Sequence, residues 1–116
     1  MQNFKLVLPE HLNHYQFLFG GYLLKFVDEM AWIAATLDYP GFNFVTIAMD
    51  RVEFRKTVSE GTILKFDCEK VKTGRTSVCY HVDVTIANSQ SPQSVFSTNV
   101  TLVRVDGNGN KTPIDG

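Results

Sequence analysis

Cysteine is scarce in this 116-residue chain. Cys68 and Cys79 are the only two; they lack metal-ligand spacing and follow no secretory pattern, so both read as reduced, mostly buried small apolar residues. Charge of one sign is equally scarce. The formal net charge is -1 and the 11 Lys and Arg residues form no run of five or six, which argues against nucleic acid as a main ligand. Long apolar runs are lacking too: the greasiest stretch, Phe17 to Leu37, is broken by Lys25, Asp28 and Glu29, so no membrane span is expected. Met1 to Pro9 carries Lys5 but neither a long apolar segment nor a small-residue cleavage site, which does not read as a signal peptide. The expectation is a soluble, cytoplasmic protein. There is no HExxH, CxxC or His/Asp cluster, so no metal is assigned. GxSxG, dinucleotide and P-loop glycine signatures are missing as well.

What is present suits a single domain over residues 1–116, with 44% apolar and 20% charged residues. Gly20 to Leu37 reads as a long helix, because the spacings 23, 27, 30, 34 and 24, 27, 31, 35 are helical. Pro40-Gly41 stops it. Most of its circumference is apolar, which implies burial on more than one side. Strands follow. Asn43 to Val58 alternates with a change of phase near Asp50-Arg51, the mark of a bulge or bend. Thr62 to Val71 places Leu64, Phe66 and Cys68 on one face, and Val78, Tyr80, Val82, Val84 and Ile86 alternate cleanly. Asn88 to Pro92 reads as a polar loop. Val95 to Val105 is apolar in both phases, as in a central or interface strand, and Asp106 to Gly116 reads as a loose tail. With a short N-terminal strand, the pattern is an α+β domain: an antiparallel sheet of about five strands wrapped around one long central helix.

Asp28 is the residue that composition does not explain. It stands mid-helix between Val27 and Met30, where aspartate is a mediocre helix former. It is either part of a solvent stripe with Lys25 and Glu29 or a carboxylate at a cleft edge, set to activate water. Ahead of it, Gly20 and Gly21 at the helix start offer unobstructed backbone N–H groups to developing negative charge, or simply a close glycine turn. Asn13, with His11 and His14 beside it, precedes them. Gly74-Arg75-Thr76-Ser77 joins two strands and suits either a phosphorylated ligand or a plain hairpin turn. Ser77, Cys79 and His81 share one strand face, but no oriented triad follows.

Together these segments resemble the hotdog-fold acyl-CoA thioesterases, and among them the small bacterial acyl-CoA hydrolases related to the mammalian brain enzyme. The resemblance runs from about Leu12 to Val103. Its core is Asn13-His14-Tyr15-Gln16-Phe17-Leu18-Phe19-Gly20-Gly21, then Tyr22 to Val27 and Asp28. Val45-Thr46, Val52-Glu53-Phe54, Gly61 and Gly74-Arg75-Thr76-Ser77 fall where that family has its further signatures. The resemblance implies hydrolysis of acyl-CoA, with Asp28 as general base or nucleophile and Asn13 reaching in from the opposite subunit. It implies that the Gly20 and Gly21 amides face the thioester oxygen, and that Phe19, Phe54, Gly74, Arg75, Thr76 and Ser77 lie along the acyl-CoA.

No cofactor is implied beyond coenzyme A itself, which is part of substrate and product. Homodimers joined through their sheets are implied, pairing further into tetramers or hexamers, with no nucleic-acid or membrane partner. Two other readings stay open: a hotdog dehydratase or hydratase, which would need His11 or His14 in the cleft, and a non-catalytic acyl-CoA binding protein. Two departures stand out. Gln16 occupies a position where the family usually has glycine, and Phe17 one where it often has a polar residue, which bears on substrate size. The C-terminal tail is brief for the family.

Overall fold

A helix that buries Leu23, Phe26, Val27, Met30, Ala31, Ala34 and Ala35 needs an apolar sheet to lie on. The computed structural model, which describes residues 1–91 and 93–114, provides one. The elements are β1 (Gln2–Leu6), a single 3-10 turn (Pro9–His11), α1 (Gly20–Asp38), β2 (Asn43–Phe54), β3 (Ile63–Thr73), β4 (Ser77–Ile86) and β5 (Ser94–Val105). All pairings are antiparallel, in the order β1-β3-β4-β5-β2, and α1 covers one face. This is the hotdog architecture that the sequence implies.

The inner face is what alternation requires. Leu64, Phe66 and Cys68 of β3 and Val78, Tyr80, Val82 and Val84 of β4 are all buried beneath the helix. Burying one such large side chain is worth roughly 1.5–3 kcal/mol. Four from α1 alone (Leu23, Phe26, Val27 and Met30) therefore outweigh the helix propensity of any one residue, which spans under about 1 kcal/mol. β5 is buried on both faces over Val95 to Thr98 and again at Leu102 and Val103. Burial pushes the Cys68 thiol up to about 11, leaving it protonated and inert; Cys79 is only half-buried, short of the burial expected of it.

Three expectations change. The helix buries one side only within this chain: Trp32 is 45% and Leu37 66% exposed. β2 carries two bulges rather than one. The register with β5 slips between Asp50 and Glu53, around Arg51 with φ 53°, and also between Thr46 and Ala48. Each slip adds one residue to β2, so Phe44 and Thr46 face inward on one side of Ile47 and Met49 on the other, while Val45 and Ile47 are exposed. The tail is not loose as far as Ile114. It turns at Asp106, Thr112 N–H donates to Arg104 O and Ile114 N–H to Arg75 O, and Ile114 is buried in the core. Pro92 of the polar loop and residues 115–116 of the tail lie outside the described residues.

Helix α1 runs alongside β2 in the opposite sense. Gly20 meets the ring of Phe54 at one end, and Trp32 reaches Phe44 near the other. Its last turn is fastened by the buried Tyr80, whose hydroxyl donates to Asp38 Oδ2 at 2.6 Å; burial first, then that bond, raise the Tyr80 phenol far above its ordinary range. Tyr39 lies under the Lys70 ammonium and also accepts a hydrogen bond from it.

Candidate active site

Lys25, Asp28 and Glu29 do not form one charged stripe. Lys25 is exposed and makes no ion pair among the described residues. Glu29 lies 3.5 Å from Lys5 of β1. Asp28 points the other way, toward β2, where Thr46 Oγ1 donates to its Oδ1 at 2.5 Å. A hydrogen bond that short to a carboxylate is charge-assisted. It orients the side chain and leaves Oδ2 without a partner among the described residues. Thr46 is the residue that hydrophobicity patterning misses. It faces inward although polar, and the only signal for it is the Val45-Thr46 pair within the resemblance.

One turn further along α1, Trp32 Nε1 donates to the carbonyl of Phe44 at 3.2 Å. The helix segment 28–32 thus holds the strand segment 44–46 at two points.

Asn13 belongs to a separate neighbourhood. Its Oδ1 accepts from the amides of Tyr15 at 2.9 Å and Phe17 at 3.2 Å, while its own N–H donates to Phe17 O. Those two amide donors identify Oδ1 and leave Nδ2 as the outward donor. The loop turns through Gln16, whose φ of 70° lies in the left-handed region. Glycine adopts that conformation without cost, which gives the family's glycine at this position its physical reason. A cavity of about 610 Å³ lies here, lined by Asn13, Tyr15, Phe17, Gly20, Phe54 and Arg55 among others.

At the helix start, Phe19 O accepts from Tyr22 and Leu23, and Phe19 makes no side-chain cap. The Gly20 and Gly21 amides therefore have no acceptor among the described residues, and they sit where the helix dipole favours an anion. Phe19 folds its ring over Gly21, where a Cβ would come within 2.7 Å of it.

The structure brings Asn13, Gly20 and Phe54 together and keeps Asp28 apart from them. Eight residues of helix separate Gly20 from Asp28, about 12 Å along the axis. The Gly74–Ser77 turn joins neither group within one chain. Ser77 pairs with Val103, which pairs with Val45, so the turn stands two strand spacings from β2, about 10 Å. Gly74 N–H donates to Ser77 O, a Cβ on Gly74 would meet Ser77 Oγ at 2.6 Å, and Thr76 O and Arg75 O hold β5 and the tail. Arg75 is exposed; Thr76 and Ser77 are half-buried.

The histidines take up no cleft chemistry. His11 accepts from the Leu8 amide and packs on Tyr22 and Phe26, and His14 stacks on Tyr15; neither meets a carboxylate among the described residues. His81 pairs with Asn99 on the sheet face away from the helix. Among the described residues no three His, Cys, Asp or Glu side chains gather as metal ligands, and no helix is long and apolar enough to cross a membrane.

Comparison with known proteins agrees with this architecture. The thioesterase superfamily matches over residues 15–92. A hexameric hotdog-fold thioesterase of Campylobacter jejuni is 34% identical, with 97% of this chain and 88% of that one superposing at a TM-score of 0.87. The acyl-CoA hydrolase of Staphylococcus aureus, solved with butyryl coenzyme A and coenzyme A, is 27% identical over 97% of this chain and 70% of that one, with a TM-score of 0.88. Protein VdlD of Helicobacter pylori is 30% identical over 112 residues, 94% of this chain and 63% of VdlD. The chain spans less than two thirds of the length of the curated relatives it first matches. With the match covering more than half of the chain and the fold shared almost end to end, this chain belongs to the hotdog-fold thioesterase superfamily, among the relatives of the bacterial acyl-CoA hydrolases.

Proposed function

We propose that this protein hydrolyses acyl-CoA to a free fatty acid and coenzyme A, in a site assembled from two subunits. The observation that carries the reading is the half-buried Asp28 carboxylate, held by Thr46 with one oxygen left over. Spacing adds support. In the Staphylococcus aureus hydrolase an asparagine and an aspartate fifteen positions apart were each changed to alanine, and Asn13 and Asp28 are fifteen apart here.

In this mechanism Asp28 Oδ2 takes a proton from water as the water oxygen attacks the thioester carbonyl. Thr46 keeps the carboxylate oriented. Asn13 Nδ2 positions the reactants and the free Gly20 and Gly21 amides of the facing subunit receive the oxyanion. Collapse expels the coenzyme A thiolate, a tolerable leaving group because a thiol has a pKa of about 8.5, and the proton held by Asp28 is then released to it. Phe19 and Phe54 flank the acyl-bearing end, and the Gly74–Ser77 turn with Arg75 receives the coenzyme A end.

A dimer is the minimum assembly on this reading, since Asn13 and Asp28 are too far apart within one chain. Relatives that are hexamers make a trimer of dimers the natural larger form. Two free thiols and a coenzyme A substrate suit the cytoplasm.

The test is release of free thiol from short, medium and long acyl-CoA by the wild type and by Asp28→Asn. Loss of about 10²- to 10⁴-fold in kcat is expected, the usual contribution of a general base. Unchanged turnover in Asp28→Asn would sink the role of Asp28, and binding without thiol release by the wild type would make this a binding protein instead.

A further inference from the structure

We infer that Trp32 is a positioning residue for Asp28, acting through β2 and Thr46; the inference rests on Asp28 being the base. Asp28 and Trp32 are four residues apart, so their side chains leave the same side of α1. Phe44 and Thr46 are two apart on one strand, so they share its inner face. The helix turn and the strand segment meet at both places: Thr46 Oγ1 to Asp28 Oδ1 at 2.5 Å, and Trp32 Nε1 to Phe44 O at 3.2 Å. A rise of about 6 Å along the helix matches about 6.6 Å along the strand. One contact would leave the strand free to pivot; two fix its angle and height.

β2 needs fixing at this point. Within one chain it is the last strand of the sheet, and the register slip after Thr46 interrupts its ladder with β5 immediately beyond. Phe44 is opposite Arg104, whose N–H is committed to Thr76 O on β4. Phe44 and Arg104 are thus a pair without mutual hydrogen bonds, and the Phe44 carbonyl points off the sheet edge. Trp32 supplies the donor that this carbonyl lacks.

The chain's single tryptophan makes a clean test possible. Trp32→Phe removes the donor and keeps a ring. Uniform incorporation of benzothienylalanine, with sulfur in place of the indole N–H, removes the donor without changing shape and serves if Trp32→Phe does not fold. Each protein is assayed for kcat and KM by thiol release, alone and combined with Thr46→Val.

The expected result is a fall in kcat of about tenfold, in line with one misplaced charge-assisted hydrogen bond, with KM within about twofold. Loss of the Trp32 donor should cost little further in the Thr46→Val background, the non-additivity of residues acting in series. An unchanged kcat, losses that multiply with Thr46→Val, or a rise in KM alone would each overturn the role. If Asp28→Asn retains turnover, the base assignment has failed and this inference with it. If Asp28→Asn is inactive while the donor-less protein is normal, only the inference about Trp32 has failed.

Discussion

Asp28 and Asn13 lie fifteen residues apart in one segment, yet their surroundings are opposite in kind. Around Asp28 the chain is locked. Val27, Met30 and Ala31 are buried beside it, and Thr46 and Trp32 tie helix to strand. Around Asn13 the chain is open. Tyr15 is 70% exposed, Phe17, Phe19 and Phe54 are exposed too, a cavity of about 610 Å³ stands among them, and two backbone amides await an acceptor. The locked half has a carboxylate held in place by Thr46. The open half has a cavity and donors, and no carboxylate lines it. If Asp28 is the base proposed above, base and binding place are built separately, and two copies of this 116-residue chain are needed to complete the chemistry.

That contrast can be broken by mixing. If the halves act across subunits, Asn13→Ala and Asp28→Asn should each lose most thiol release. Combined from denaturant, the two variants should recover about a quarter of wild-type turnover, since about half the random dimers are mixed and each mixed dimer has one intact site. No recovery in a mixture shown by mass spectrometry to contain mixed dimers would mean that both halves act within one chain.

The fold was largely legible because its elements obey single periods. The helix announces itself by apolar spacing and by Pro40-Gly41, β4 alternates throughout, and β3 alternates as far as Cys68, before its register with β4 slips between Lys70 and Lys72. β2 is where hydrophobicity misleads. Thr46 points inward because Asp28 gives its hydroxyl a partner, whereas Val45 and Ile47 point outward, so an apolar count assigns the wrong faces until the bulge at Ile47 is known. Ile114 was illegible for another reason: one apolar residue behind a glycine-rich turn has no period, and only its hydrogen bond to Arg75 O reveals why it returns. For the site, Asp28 was an unexplained charge that the resemblance turned into a candidate. Thr46 needed the fold to become its partner, and Trp32 carries no sequence signal at all, since it reads as one more apolar position on a greasy helix.

The open half can be sharpened at Gln16. A non-glycine residue held in the left-handed region costs roughly 1–2 kcal/mol, and glycine adds about 0.5–1 kcal/mol of backbone entropy to the unfolded chain. Gln16→Gly should therefore leave stability unchanged or raise it by up to about 1.5 kcal/mol, read from the denaturant midpoint. A clear loss would show that the Gln16 side chain holds the loop by contacts of its own. If its bulk narrows the entrance, the same variant should also accept longer acyl chains in the thiol-release assay.

The smallest effect lies outside both halves, in the tail that backs the Gly74–Ser77 turn. Asp106 Oδ1 accepts from the amides of Asn108 and Asn110, and the bonds from Asn110, then Asn108, hold its carboxyl below the usual carboxylate range. A lowered value means that the carboxylate supports the turn at neutral pH. That support begins to fade as pH falls past the ordinary value of about 3.9 and is gone once pH passes below the lowered one. The Asn108 and Asn110 amide proton resonances should therefore move upfield together at low pH, with the Ile114 amide losing its bond to Arg75 O in the same window while the amides of β4 hold. Asp106→Asn keeps an acceptor oxygen and removes the charge, so the turn should persist and its acid titration vanish. An identical titration in that variant would assign it to another group and leave the tail anchored by Ile114 alone.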